Sequence, residues 1–170
     1  MKSYNPSFVR LSPTFIIFFF TIAFYSFKLW AIAGVDFPFE EDLDFSEVQE
    51  MIDSGKYEEA IAYLNSDVLE WYPENAEALT LKGYSQRGLG LNNESMISYN
   101  AALLSNSKHQ GALEYQGELF LKLGKLEDAK LNLQKLEGIC PDGCEAFYTL
   151  QTAIEKFKDG SIVWSPPEKK

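Results

Sequence analysis

Between residues 45 and 158, apolar positions recur at three- and four-residue intervals in blocks separated by short polar turns. That spacing lines them up on one face of a helix. Val48, Met51 and Ile52 mark a first helix, ended at Ser54-Gly55-Lys56, where Gly55 is free to take the left-handed conformation of a helix stop. Asp44 or Ser46 would cap its start, and Ser46 with Gln49 has the form of a capping box. Tyr57, Ala60, Ile61, Leu64 and Val68 form the stripe of a second helix, predicted over 57–71 and stopped before Pro73. Further helices are predicted over 75–88, with Asn75 as its cap, and over 92–105, 111–123 and 126–138. A last one, 144–158, carries Phe147, Leu150, Ile154 and Phe157. Connections this short force neighbouring helices to pack antiparallel. The predicted class is all-α.

The helices are not independent. Residues 76–109 and 110–143 nearly repeat each other: Ala78, Leu79, Gly83, Leu89 and Gly90 recur as Ala112, Leu113, Gly117, Leu123 and Gly124. A self-match at a period of 34 residues is the signature of stacked helix pairs. Residues 45–72 read as a degenerate first copy. Measured from Gly55 to Gly90 it is one residue longer than the next, and the extra residue is expected near Leu69–Tyr72. The helix over 144–158 would cover the open face of the third copy, as a terminal cap does in a solenoid.

This pattern resembles the tetratricopeptide repeat family, over about residues 44–158. The third copy fits at Gly117, Phe120, Gly124, Leu126, Ala129, Leu133 and Pro141, with Leu136 in place of the last small residue. The second fits at Gly83, Gly90, Tyr99 and Ala102, with Ser95 for the usual Ala and Ser107 for the usual Pro. The first keeps Gly55, Tyr57, Ala60 and Leu64. The resemblance implies a short α-solenoid of about three helix pairs plus a capping helix. It also implies a groove, lined by first helices, that binds peptides or partner proteins. Carried over by position, that groove would show Phe45, Gln49, Ile52 and Asp53, then Glu77, Thr80, Tyr84 and Arg87, then Glu114, Glu118, Leu121 and Lys122. The Lys and Asn with which one subgroup clamps a terminal carboxylate are replaced by Gln49, Tyr84 and Glu118, so that clamp is absent. Glu77, Glu114 and Glu118 favour a neutral or basic ligand segment. The bland alternative for all these residues is a solvated helix face.

The start of the chain differs in kind. Residues 1–33 hold Lys2, Arg10 and Lys28, no acid, and a long apolar run ending in Ala31-Ile32-Ala33. A basic start, an apolar middle and an A-x-A end describe a secretory signal peptide cleaved before Gly34. The alternative is an uncleaved inner-membrane anchor over residues 11–35, facing the periplasm. Residues 34–43 read as an acidic linker and 159–170 as a frayed tail. Of the chain's 15 basic and 25 acidic residues, only those three basic ones lie in the leader, so the remainder carries −13. Such a surface repels nucleic acid, which excludes it as a partner class.

Cys140 and Cys144 frame a Pro-Asp-Gly turn between two helices in the exported part. A structural disulfide fits an oxidising compartment and would fix the angle of the cap. Thiol exchange, or metal (copper) handling through the two cysteines, is the alternative, although the spacing is not C-x-x-C. A CPxGC motif before an acidic helix is similar to one in bacterial exported tetratricopeptide proteins, which favours the structural bridge. His109, the lone imidazole, is expected in an exposed turn, and no Ser/His/Asp set can be built on it. Neither a cofactor nor a catalytic residue is expected. The sequence therefore predicts a non-enzymatic scaffold in the bacterial periplasm. A membrane-anchored envelope assembly factor is the alternative.

Overall fold

A computed structural model describes residues 43–161, and all statements of structure below concern these residues. The leader, most of the acidic linker and the tail after residue 161 lie outside them. Seven helices follow in order: α1 Ser46–Asp53, α2 Tyr57–Tyr63, α3 Ala76–Gly88, α4 Asn92–Ser105, α5 Gln110–Lys122, α6 Leu126–Ile139 and α7 Glu145–Lys158. Each pairs with its neighbour, and the odd-numbered helices also stack on one another from α3 to α5 to α7.

Three identical turns set the repeat. Gly55, Gly90 and Gly124 all have positive φ, at 71°, 79° and 73°. After each, the next amide reaches back to a carbonyl five residues earlier: Lys56 to Met51, Leu91 to Gln86, Lys125 to Phe120, at 2.8–2.9 Å. These bonds satisfy carbonyls that a helix end leaves open. The following helix then starts with no side-chain cap at all three places.

The extra residue of the first repeat is absorbed earlier than expected. After Tyr63, α2 runs on without a break into a π-helical turn, Leu64–Val68, in which the Leu69 amide bonds the Leu64 carbonyl at 2.8 Å. A single wide turn takes up one residue while Leu64 and Val68 both stay buried. The predicted helix over 57–71 is thus an α-helix of half that length plus this turn. The capping box is also absent. Asp44 accepts from the Ser46 amide at 2.9 Å, while Gln49 donates to Asp53.

The core is not uniform. One apolar cluster gathers Val48, Ile52, Tyr57, Ala60, Leu64, Val68, Ala78 and Leu81 from α1 to α3. A second gathers Leu113, Leu121, Ala129, Leu136, Ala146, Leu150 and Ile154 from α5 to α7. Between them only Leu79, Ala102 and Ala112 form a small third cluster. Around it the contacts are polar and largely buried: Ser95 donates to the Gly83 carbonyl, Ser98 to Gln86, and Asn132 to Gln116 and the Leu113 carbonyl, while Gln116 donates to the exposed Asn100. Gly83 lets the Tyr99 ring lie directly against α3; a Cβ there would sit 2.6 Å from it.

Cys140 and Cys144 are disulfide-bonded with their Cα atoms 5.9 Å apart, within the usual bridging range. The bond joins the C-terminal end of α6 to the residue before α7. Among the described residues no helix is long and apolar enough to cross a membrane.

Candidate functional site

The first helices of successive repeats place a pocket on one face. Gln49 and Ile52 of α1, Leu81, Tyr84 and Arg87 of α3, and Glu114, Tyr115 and Glu118 of α5 line a hollow of about 230 Å³. From Glu118 the surface continues as a shallower depression along α7, past Tyr148, Thr149, Thr152 and Lys156. Helical spacing explains the set. Residues three and four apart, such as Leu81 with Tyr84 and Glu114 with Glu118, share a helix face.

Arg87 organises this pocket. Its guanidinium donates to Glu118 at 2.6 Å and to the Tyr115 carbonyl at 3.2 Å, and its carbon lies 5.0 Å and 5.5 Å from the ring centres of Tyr84 and Tyr115. The two rings meet edge to face at 5.0 Å. Only 5% of Arg87 is exposed. Burial works against its charge, but Tyr99 and the bonded Glu118 outweigh that and raise its pKa. A charge so enclosed is tolerable only because it is paired and hydrogen-bonded. Burial also pushes the Tyr115 hydroxyl up to about 12, helped by Glu114, and raises that of Tyr84. Both therefore remain neutral hydroxyls at physiological pH.

Glu114 stands apart from that set. Its carboxyl is pushed up to about 7, first by burial, then by the Glu118 charge, with Arg87 pulling the other way. It makes no hydrogen bond or ion pair with any described residue.

The residues expected to line a groove fall into six groups. Gln49, Ile52, Tyr84, Arg87, Glu114 and Glu118 come together at the pocket. Asp53 lies beside it, in a separate acidic hollow with Ser46, Glu47 and Glu50. Thr80 and Leu121 are interior, 1% and 4% exposed, and offer no groove surface. Thr80 bonds back to the Ala76 carbonyl one turn earlier, and Leu121 faces the α5–α7 cluster. Glu77 is engaged at the other end of α3, where it bonds His109 at 3.0 Å. Lys122 sits one turn beyond Glu118 and is partly exposed, its pKa lowered by burial and by Arg87. Phe45, half-buried, packs on the first apolar cluster.

Positional carry-over left out Leu81 and Tyr115, which line the pocket. A signal existed: the two are 34 residues apart and so occupy one repeat position. His109 is not an exposed turn residue. It is the N-cap of α5, its Nδ1 accepting from the Ala112 amide at 3.1 Å. Asn75 does the same for Ala78 at 2.8 Å one repeat earlier. With Nδ1 accepting, the proton sits on Nε2, which donates to Glu77. Both imidazole nitrogens therefore serve the junction between repeats.

No protein-family model matches the chain, and no curated protein matches it. A solved structure does. It is the crystal structure of a tetratricopeptide repeat protein from Parabacteroides merdae, with a TM-score of 0.56 and 22% sequence identity, covering 66% of this chain and 43% of that one. This chain thus spans less than half the length of that protein. The likeness is one of fold: a tetratricopeptide-like, all-α solenoid.

Proposed function

We propose that this chain is an exported, non-enzymatic binding scaffold of the bacterial periplasm, holding an extended peptide or a segment of a partner protein along the face formed by α1, α3, α5 and α7. The observation that carries this reading is the pocket itself, lined entirely by first helices of successive repeats and opening toward α7. Stacked helix pairs gain such a surface from the small rotation between repeats. The basic-apolar leader with its A-x-A end supports export, and the bonded cysteine pair suits an oxidising compartment.

The test uses protein purified from the envelope of its host. Its intact mass is expected to begin at Gly34; a full-length mass would put an anchored protein in its place. Random nonapeptides displayed in a library are then selected on it and re-screened against Gln49→Trp. Gln49 is exposed at the pocket, so an indole there fills the hollow without entering the core. Enriched peptides should bind the unaltered protein at least tenfold more tightly than the variant. Finding no enrichment, or binding indifferent to the tryptophan, removes the groove as the binding surface.

A further inference from the structure

The charged groups at the pocket are unequally engaged. Arg87 and Glu118 hold each other at 2.6 Å, and the rings of Tyr84 and Tyr115 lie against the guanidinium. Glu114, one turn before Glu118 on the same wall, has no partner among the described residues. A carboxylate that has lost part of its water and faces a second carboxylate gains most from a cation. An anionic or apolar side chain would leave it worse off. A hollow of about 230 Å³ is below the roughly 300–1,000 Å³ of sites for drug-sized ligands, and suits one side chain. The aromatic walls suit a cation carried on methylene groups. Beyond the pocket, α1 presents Glu47, Glu50 and Asp53 around the adjoining hollow, so a chain leaving in that direction meets more acid.

From this arrangement we infer that the pocket is a subsite for a single lysine or arginine side chain of an extended partner segment, with Glu114 as its counter-ion and Tyr84 and Tyr115 as its walls. The inference rests on the groove reading above. The same geometry makes binding sensitive to protons. In the free protein the Glu114 carboxyl titrates at about 7, because of its burial and the nearby Glu118. The facing groups are Arg87 and Tyr84 from α3, Glu118, Tyr115 and Lys122 on α5 itself, and Glu145 from α7; Gln49 and Ile52 from α1 are uncharged. A bound cation requires the ionised form, so protons compete with it, and affinity falls as pH drops below 7. Over pH 8 to pH 6 the expected loss is about tenfold for one such group.

The nonapeptides enriched on the protein and sensitive to Gln49→Trp are the probe. They are expected to share a basic residue. Replacing that residue by its neutral counterpart, citrulline for arginine or norleucine for lysine, should weaken binding at least tenfold at pH 8. Glu114→Gln should do the same and flatten the dependence between pH 6 and pH 8. That variant removes a partly buried charge, so its melting temperature should not fall below that of the unaltered protein. Lost binding therefore reports the site and not unfolding. Groove-bound peptides that lack a basic residue, or affinities indifferent to Glu114→Gln, overturn the cationic subsite and leave the groove reading standing. Absence of any tryptophan-sensitive peptide overturns both.

Discussion

The two ends of the array and its middle are held together by different physics. At the ends, α1–α2 against α3 and α5–α6 against α7 meet through apolar clusters of leucine, isoleucine, valine and alanine, with Tyr57 in the first. In the middle, α3 and α4 meet α5 through Leu79, Ala102 and Ala112 and through the Gln116–Asn100 bond, while Ser95 and Ser98 tie α4 to α3 and Asn132 ties α6 to α5. Apolar packing is non-directional and tolerates adjustment. A buried amide chain has one arrangement in which every group is satisfied, and it is costly in any other. The ends thus supply most of the area-dependent stability, and the polar bonds of the middle fix how paired helices sit on each other, with Gln116 linking one pair to the next.

The sharpest way to break this contrast is at Gly117. A Cβ there would lie 2.6 Å from a Leu150 methyl on the capping helix. Gly117→Leu therefore drives α7 away from α5, and should cost about 3 kcal/mol or more. Chemical denaturation would measure the loss. Truncating the obstacle with Leu150→Ala in the same chain should recover part of it, which assigns the damage to this contact. A melting curve left unchanged by Gly117→Leu would place α7 elsewhere.

A smaller effect is expected in the middle. Asn132, 2% exposed, donates to both the Leu113 carbonyl and Gln116. Asn132→Ala strands those acceptors and should cost about 1–3 kcal/mol, more than lost apolar area would explain. A loss within a few tenths of a kcal/mol would mean that these amide bonds do not hold α6 on α5.

Smallest of the three is the junction cap. His109→Ala should lower stability by about 1 kcal/mol, whereas His109→Asn, which restores the chemistry of Asn75, should stay near the original. Equal losses in both variants would show that the Glu77 bond, not the cap, is what matters.

These features were not equally legible in the chain. The glycine turns were, because a positive φ singles out glycine whatever surrounds it. The apolar stripes of α1, α2 and α7 were also clear. α3 and α4 have weaker stripes, with Thr80, Ser85, Ser95 and Ser98 among their buried residues, and it was the 34-residue repeat that located them. A buried serine looks like a surface serine until its acceptor is known. The pocket was half legible: six residues expected at the groove meet there, while Thr80 and Leu121 turned inward. Position in a repeat gives the face of a helix, but not how deeply its neighbour covers that face.

The sequence by itself determined the helix count, the turns, the antiparallel stacking and the acidity of the chain after residue 33. Each of these depends on neighbours within a few residues, on the 34-residue repeat, or on composition. Only the tertiary structure decided that the extra residue of the first repeat widens a turn at Leu64–Val68 and that Gly117 makes room for the capping helix. It also decided that His109 caps α5, and that Arg87 pairs with Glu118 while Glu114 has no ion pair among the described residues. The Gly117 and Arg87 outcomes are settled by side chains roughly one repeat away in sequence, Leu150 and Glu118, and no periodicity along a single chain records how closely such side chains meet.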